Sequence, residues 1–109
     1  MSAIIPAIKY ENCSKAIDWL CDVFGLRVDF CVQGEGDRIE HAQLLLDESM
    51  IMVGSTDRSE FGVLNTCPHH IEGRVTSSLY VVVTDVAGHY EAATRLGAEV
   101  VIDLKMEDY

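Results

Sequence analysis

The sequence predicts an α+β fold built from two related strand–helix units, of which the second is incomplete. The chain has 109 residues, which suits one domain with a modest core. Two segments with apolar residues at helical spacing are each flanked by strand-like segments. The second unit also repeats the first. Tyr10 and Val83 precede the two helices, Gly25 and Gly97 follow them, and the offsets are 73 and 72 residues.

The first unit, residues 1–55, is predicted to contain one helix and four strands. The helix begins at Asn12 or Ser14, both good capping residues, and ends at Gly25. Pro6, near the start of the first strand, indicates an edge position or a local loss of pairing. The strands are expected at residues 4–10, 26–33, 38–46 and 49–54, with turns at 34–37 and 47–48.

The remainder is predicted to be a linker followed by a partial second unit, all within a single domain spanning 1–109. Residues 56–74 are polar and irregular, which is typical of a linker. The partial unit, 75–109, begins with a strand at Val75–Thr84. Asp85 then caps a helix that runs to about Leu96, and a last strand is expected at Glu99–Leu104.

Charge and hydropathy exclude several classes of partner. Eight basic residues against eighteen acidic ones give a formal charge of −10. A nucleic acid or an anionic membrane surface would therefore be repelled. No apolar run approaches the roughly 18–20 residues that span a bilayer, and the first eleven residues lack the basic region of a signal peptide. We expect a soluble, cytoplasmic protein whose four cysteines are reduced and serve as small hydrophobic residues.

Three segments resemble the glyoxalase/bleomycin-resistance/dioxygenase family, also called the vicinal oxygen chelate (VOC) superfamily. They are IIPAIKYENCSKAIDWLCDVFGLRV, RIEHAQLLLDESMIMVGS and SLYVVVTDVAGHYEAATRLGAEVV. The resemblance covers nearly the whole chain. It implies tandem βαβββ modules whose sheets curl into a ligand-holding cup, with the second module present only as βαβ. It also implies two more strands beyond Tyr109, or completion of the cup by another chain.

The resemblance places the family's metal-ligand positions on residues that suit a divalent ion poorly. Three of the four positions fall on Ile5, Met52 and Ser78, and the fourth is absent from this chain. Isoleucine offers no lone pair, methionine is a soft ligand and serine a weak one. No metal centre and no cofactor are therefore predicted. The loop Cys67–His70 holds three further potential ligands, but a structural zinc needs four, so a solvated loop is expected there.

Strand alternation and the resemblance together predict which side chains line the cup. In the third strand, Ala42, Leu44 and Leu46 are expected to face the helix, while Ile39, His41, Gln43 and Leu45 face the cup. Family registration adds alternate residues from the other strands, among them Ile5, Ala7 and Val82. The expected ligand-binding set is Lys9, His41, Gln43, Met50, Met52, Ser78 and Tyr80.

His41 is the candidate catalytic residue, and two interpretations of it remain open. It can hydrogen-bond a ligand or act as a general base. It can equally be a strand histidine bonded to Gln43 or to a neighbouring strand.

Two functions from different classes follow from this pattern. The first is a small-molecule-binding protein, with the acidic balance favouring a cationic ligand. The alternative is a lyase, isomerase or dioxygenase of the same superfamily that uses a noncanonical site around His41. A homodimer, with modules that can be exchanged between chains, is expected because a half-finished sheet leaves an open edge.

Overall fold

The computed structural model describes residues 2–57 and 59–106, and within them it confirms the α+β class. The ends of the predicted domain, residue 1 and residues 107–109, lie outside the described residues. Two short 3-10 helices, Gly62–Leu64 and Pro68–Ile71, occupy the predicted linker. The main elements are β1 (Ala7–Tyr10), α1 (Cys13–Phe24), β2 (Arg27–Gln33), β3 (Ile39–Leu46), β4 (Ser49–Ser55) and α2 (Val86–Arg95).

The four strands of the described residues form one curled, unclosed sheet in the order β1-β4-β3-β2. β1 runs parallel to β4, while β4, β3 and β2 are antiparallel neighbours. β1 lies at an edge, as Pro6 predicted. The strand begins at Ala7, so the predicted start at Ile4 is wrong. Proline has no N–H to donate to a ladder, and here only its carbonyl takes part, accepting from Met52 N at 2.8 Å.

α1 packs against one face of the sheet and forms the core with it. Its apolar residues recur at helical spacing, which puts Cys13, Ile17 and Leu20 on one side. They meet β3 and β4, where Ala42 and Leu44 are fully buried. Burying a side chain of leucine size stabilises a fold by about 1.5–3 kcal/mol, so this single layer carries much of the stability.

The two helices begin with the same cap geometry, which supports the internal repeat. Asn12 and Asp85 precede α1 and α2 with φ near −115° and ψ near 81–84° at both positions. Each side chain accepts a hydrogen bond from the backbone N–H three residues later, at 3.2 and 3.0 Å. After the helices, Gly25 and Gly97 have φ of +71° and +96°, a region that favours glycine.

The predicted strands Val75–Thr84 and Glu99–Leu104 do not form. Neither segment belongs to a backbone ladder within the described residues. Val82 and Val101 are 81% and 85% exposed. A β-branched sequence favours a strand only where a partner strand supplies hydrogen bonds and a packing surface. The expectation from propensity fails here because no described segment pairs with them.

α2 lies against the outer side of α1. The indole Nε1 of Trp19 donates to the carbonyl of Leu96 at 3.3 Å. The ring of Phe24 lies 5.0 Å from that of His89 and 5.8 Å from that of Trp19. Trp19 therefore packs between the two helices, on the opposite side of the sheet from the expected cup.

Ile39 faces the core rather than the cup, which corrects the prediction for this residue. Val32 pairs with His41, but the next residue of β2 pairs with Ile39, so Glu40 is an extra residue in β3. Such a bulge shifts the alternation by one position. Ile39 consequently joins Ala42 on the side of α1 and is 5% exposed.

The cysteines agree only in part with the expectation that all four serve as small hydrophobic residues, because Cys31 is exposed. All four thiols are free, and Cys13 and Cys67 are each 1% exposed. In the part of the chain that the structure describes, neither helix has the length and apolar character needed to cross a bilayer.

Substitutions of two neighbouring leucines of β3 test which residues lie on each face of the sheet. Leu44→Ala is expected to lower the free energy of unfolding by about 2–5 kcal/mol, because it opens a cavity under α1. Leu45→Ala, on the opposite face, is the matched control and should cost about 1 kcal/mol or less. Urea unfolding followed by circular dichroism measures both. Equal losses would contradict the assignment of faces.

Candidate functional site

The face of the sheet opposite α1, here called the open face, brings most of the predicted ligand-binding residues together. Residues directly paired across a ladder lie on the same face. Gln43 pairs with Met52, which pairs with Ala7, and Leu45 pairs with Met50. Most of these side chains are half-buried. The open face consists of Ala7, Lys9, Arg27, Phe30, Val32, His41, Gln43, Leu45, Met50, Met52 and Gly54.

His41 lies between a hydrogen-bond partner and an aromatic ring. Its Nε2 is 3.2 Å from the carboxamide Nε2 of Gln43, two residues along the same face. The ring of Phe30, from β2, has its centroid 6.2 Å from the imidazole centroid. The predicted bond to Gln43 is therefore present, and it holds the imidazole in place on the open face.

Lys9 crosses the open face towards the loop after β4. Its Nζ lies 3.3 Å from a carboxylate oxygen of Asp57, and the lysine side chain is 19% exposed. The lysine passes over Gly54, where a Cβ would sit 3.5 Å from Nζ and 3.1 Å from the carbonyl oxygen of Glu40. A Cβ at Gly54 would therefore crowd the carbonyl of Glu40, while the amine of Lys9 lies at ordinary contact distance beside the sheet.

Asp57, in the loop after β4, is the anionic partner of Lys9. The side chain and backbone of Ser59 both donate to its Oδ1, and these bonds, with the Lys9 ammonium, lower the pKa of Asp57 to about 2. Arg38 adds a more distant contact, with Nη2 at 3.9 Å from Oδ2. The carboxylate therefore stays ionised at every physiological pH and neutralises much of the charge of Lys9.

Ser78 and Tyr80 do not lie on the open face. Ser78 lines a cleft of about 580 Å³ between β1 and residues 64–79, together with Lys9, Arg74 and Cys67. Tyr80 is 94% exposed and touches neither the cleft nor the sheet. The strand that was expected to carry both residues does not form, so nothing orients Tyr80 towards the other site residues.

The buried thiol of Cys13 is not a candidate nucleophile. It stands at the first position of α1, where a helix dipole alone would favour a thiolate. Burial nevertheless raises the pKa of Cys13 to about 11, and the charge of Cys31 acts in the same direction. Cys13 remains a protonated, apolar member of the core.

The residues at the family's metal positions do not fit a divalent ion. Ile5 carries no donor atom and lies outside the strands, and Met52 and Ser78 supply only a thioether and a hydroxyl. Among residues 2–57 and 59–106, no three His, Cys, Asp or Glu side chains are arranged to hold a metal. His69, from the predicted solvated loop, instead pairs with Glu11 at 2.9 Å.

A search of solved structures found TioX from Micromonospora sp. ML1 as a structural neighbour. Its crystal structure matches with a TM-score of 0.68 and 24% sequence identity, covering 100% of this chain and 83% of that chain. The likeness shows the fold. No protein-family model matches the sequence, and no curated protein matches it.

Phe30 and Val32 of the open face, and Gly54 and Asp57 beside Lys9, were not predicted from the sequence. Phe30 joins the open face because Asp29 is an extra residue in β2, between the pairs Val28–Leu44 and Phe30–Gln43. Gly54 has no side chain that would crowd the neighbouring backbone. Asp57 contacts Lys9 although the two residues are 48 positions apart in the sequence. Plain alternation of β2 would have put Phe30 on the same face as Val28, and nothing local indicates the contact of Asp57.

The charge of Asp57 makes a pH-dependent contribution to stability. Its folded pKa is lowered from 3.8 to about 2, so the stabilisation is fully present above pH 4 and is lost as the pH falls towards 2. The difference in unfolding free energy between wild type and Asp57→Asn should therefore shrink between pH 5 and pH 2. Ser59→Ala should raise the pKa of Asp57, measured by carbon NMR titration. A difference that stays constant with pH would contradict this assignment.

Proposed function

We propose that the protein binds a small, flat, largely apolar molecule on the open face of its sheet. One observation carries this proposal. α1 covers one face of the sheet, while the other bears half-buried methionines and Phe30 beside a few convergent polar groups, His41, Gln43 and Lys9. Apolar surface with few placed polar groups is the usual composition of a small-molecule site.

The side chains of the open face suit a ligand of variable shape. Met50 and Met52 are unbranched and polarisable, so they adapt to an aromatic ring at little cost. Phe30 is 50% exposed and offers a ring for stacking. The charge of −10 raises the local concentration of cations, which favours a ligand with a positive group at its solvent end.

A second copy of the chain is proposed to cover the site. Residues 64–79 flank the open face only at Ala7 and Lys9, and apolar side chains of the second unit remain exposed. These include Leu79, Val82, Val101 and Ile102, which are 45–85% exposed. Pairing between two chains, with exchange of the second units, would bury both surfaces. The free thiols fit a reducing compartment, so we place the protein in the cytoplasm.

Methionine methyl NMR tests the binding proposal. In protein labelled with ¹³C-methyl methionine and titrated with acridine orange, a flat cationic dye, the Met50 and Met52 signals should shift saturably. Met106 is 96% exposed and absent from the open face, so it should not follow. Signals for Met50, Met52 and Met106 that move in parallel without saturation would contradict a defined site.

Phenylalanine variants give a matched control for the same titration. Phe30→Ala removes the stacking ring and should weaken binding by about two- to tenfold. Phe61→Ala removes a somewhat more exposed ring from the loop after β4, where Phe61 is 65% exposed. This control should bind the dye as wild type does. Equal losses in both variants would indicate nonspecific hydrophobic adsorption.

Sedimentation velocity tests the proposed homodimer. The proposed pairing predicts that the protein sediments as a dimer at about 10 µM. Stable dimer interfaces bury roughly 800 Å² per partner. Val82→Lys should shift the equilibrium towards monomer by placing a charge in the apolar contact. A folded wild-type monomer at this concentration would contradict the dimer and leave the ligand proposal to the NMR titration.

A further inference from the structure

We propose that Nδ1 of His41 holds the polar end of the ligand, and that this end is a hydrogen-bond-accepting oxygen such as a ring carbonyl. Gln43 acts as a positioning residue for the imidazole. This inference rests on the proposed function and specifies the chemistry of the bound molecule.

The contact with Gln43 decides which imidazole nitrogen is available. Nε2 of His41 lies 3.2 Å from the end of the carboxamide. The carboxamide nitrogen of Gln43 is the atom that faces Nε2, so this ring nitrogen is already occupied. Nδ1 has no hydrogen-bond partner among the described residues. Nδ1 is therefore the ring nitrogen that is left for a ligand.

The direction of the bond makes Nδ1 a donor. The carboxamide nitrogen of Gln43 faces Nε2 and can only donate, so Nε2 of the neutral imidazole accepts. The single proton of the neutral ring then resides on Nδ1. A ligand atom that meets it must accept a hydrogen bond, and a carbonyl oxygen does so in the plane of the ring system that carries it.

Lys9 reinforces the preference for an oxygen atom. Gly54 pairs with Lys9 and follows Val53, the partner of Ala42, which places it beside His41 on the sheet. The Lys9 amine lies over Gly54, so a second donor stands on the same part of the open face. A cationic group is disfavoured at this spot, and any positive charge of a ligand must point away from it towards solvent.

Phe30 and the methionines complete the description of the ligand. The Phe30 ring is 6.2 Å from His41 by centroid, which is near enough for one flat molecule to stack on Phe30 and reach the imidazole edge. The structure therefore assigns to the site an aromatic ketone or a similar flat compound with an exposed ring oxygen.

A pair of probes that differ in one oxygen tests this assignment. 1-Indanone and indane share the same fused rings, and only the first has a ring carbonyl. Both are titrated into the whole protein while the methyl signals of Met50 and Met52 are followed. We expect 1-indanone to bind about three- to tenfold more tightly than indane, as one hydrogen bond predicts.

Two substitutions at His41 distinguish the nitrogen involved. His41→Asn places an amide nitrogen near the position of Nδ1, whereas His41→Gln places one near that of Nε2. The preference for 1-indanone should survive in His41→Asn and disappear in His41→Gln. Unchanged methyl spectra of the free variants, compared with wild type, show that both remain folded.

The outcomes separate this inference from the proposed function. If indane and 1-indanone bind wild type equally, or if His41→Gln keeps the preference that His41→Asn loses, the acceptor site is wrong while ligand binding stands. If neither probe nor acridine orange shifts Met50 and Met52, the proposed function fails and the inference fails with it. The preference for 1-indanone with the expected response of the variants supports both.

Discussion

The structure depends on one constraint: a single helix covers one face of a curled sheet. α1 meets β3 and β4 through a layer in which Ala42 and Leu44 are fully buried. Antiparallel sheets commonly pack one face on the core and leave the other to solvent, so apolar side chains on the uncovered face are available to a ligand. The packing of α1 on one face of the sheet therefore stabilises the module and also leaves the open face uncovered by α1.

The chemistry of the open face follows from side chains that hold one another in place. Gln43 fixes the imidazole of His41, and Asp57, itself held by two bonds from Ser59, fixes the amine of Lys9. Both contacts restrict the positions of hydrogen-bond donors before any ligand arrives. Groups positioned in advance lose less entropy on binding, which favours recognition of one polar atom on an otherwise apolar molecule.

The sequence predicts the local features well and the long-range ones poorly. Helix caps at Asn12 and Asp85 depend on residues three positions apart, and the structure confirms both. Alternation predicts the faces of β3 correctly for residues 41–45. Glu40 is an extra residue, and this bulge places Ile39 on the core side of the sheet. The strand expected at Val75–Thr84 requires a partner that alternation does not supply. The ligand roles of the open-face residues and of Ser78 and Tyr80 remain predictions.

Photolabelling with benzophenone tests the central claim, that the open face is the binding surface, most directly. The probe is a flat-ringed aromatic ketone, and on irradiation it inserts into nearby C–H bonds, with methionine a favoured target. Peptide mass spectrometry should find the label on Met50 and Met52, and an excess of 1-indanone present during irradiation should prevent this labelling. Label that accumulates on the exposed Met106, or on residues 64–79 of the cleft, and that 1-indanone does not reduce would contradict the account.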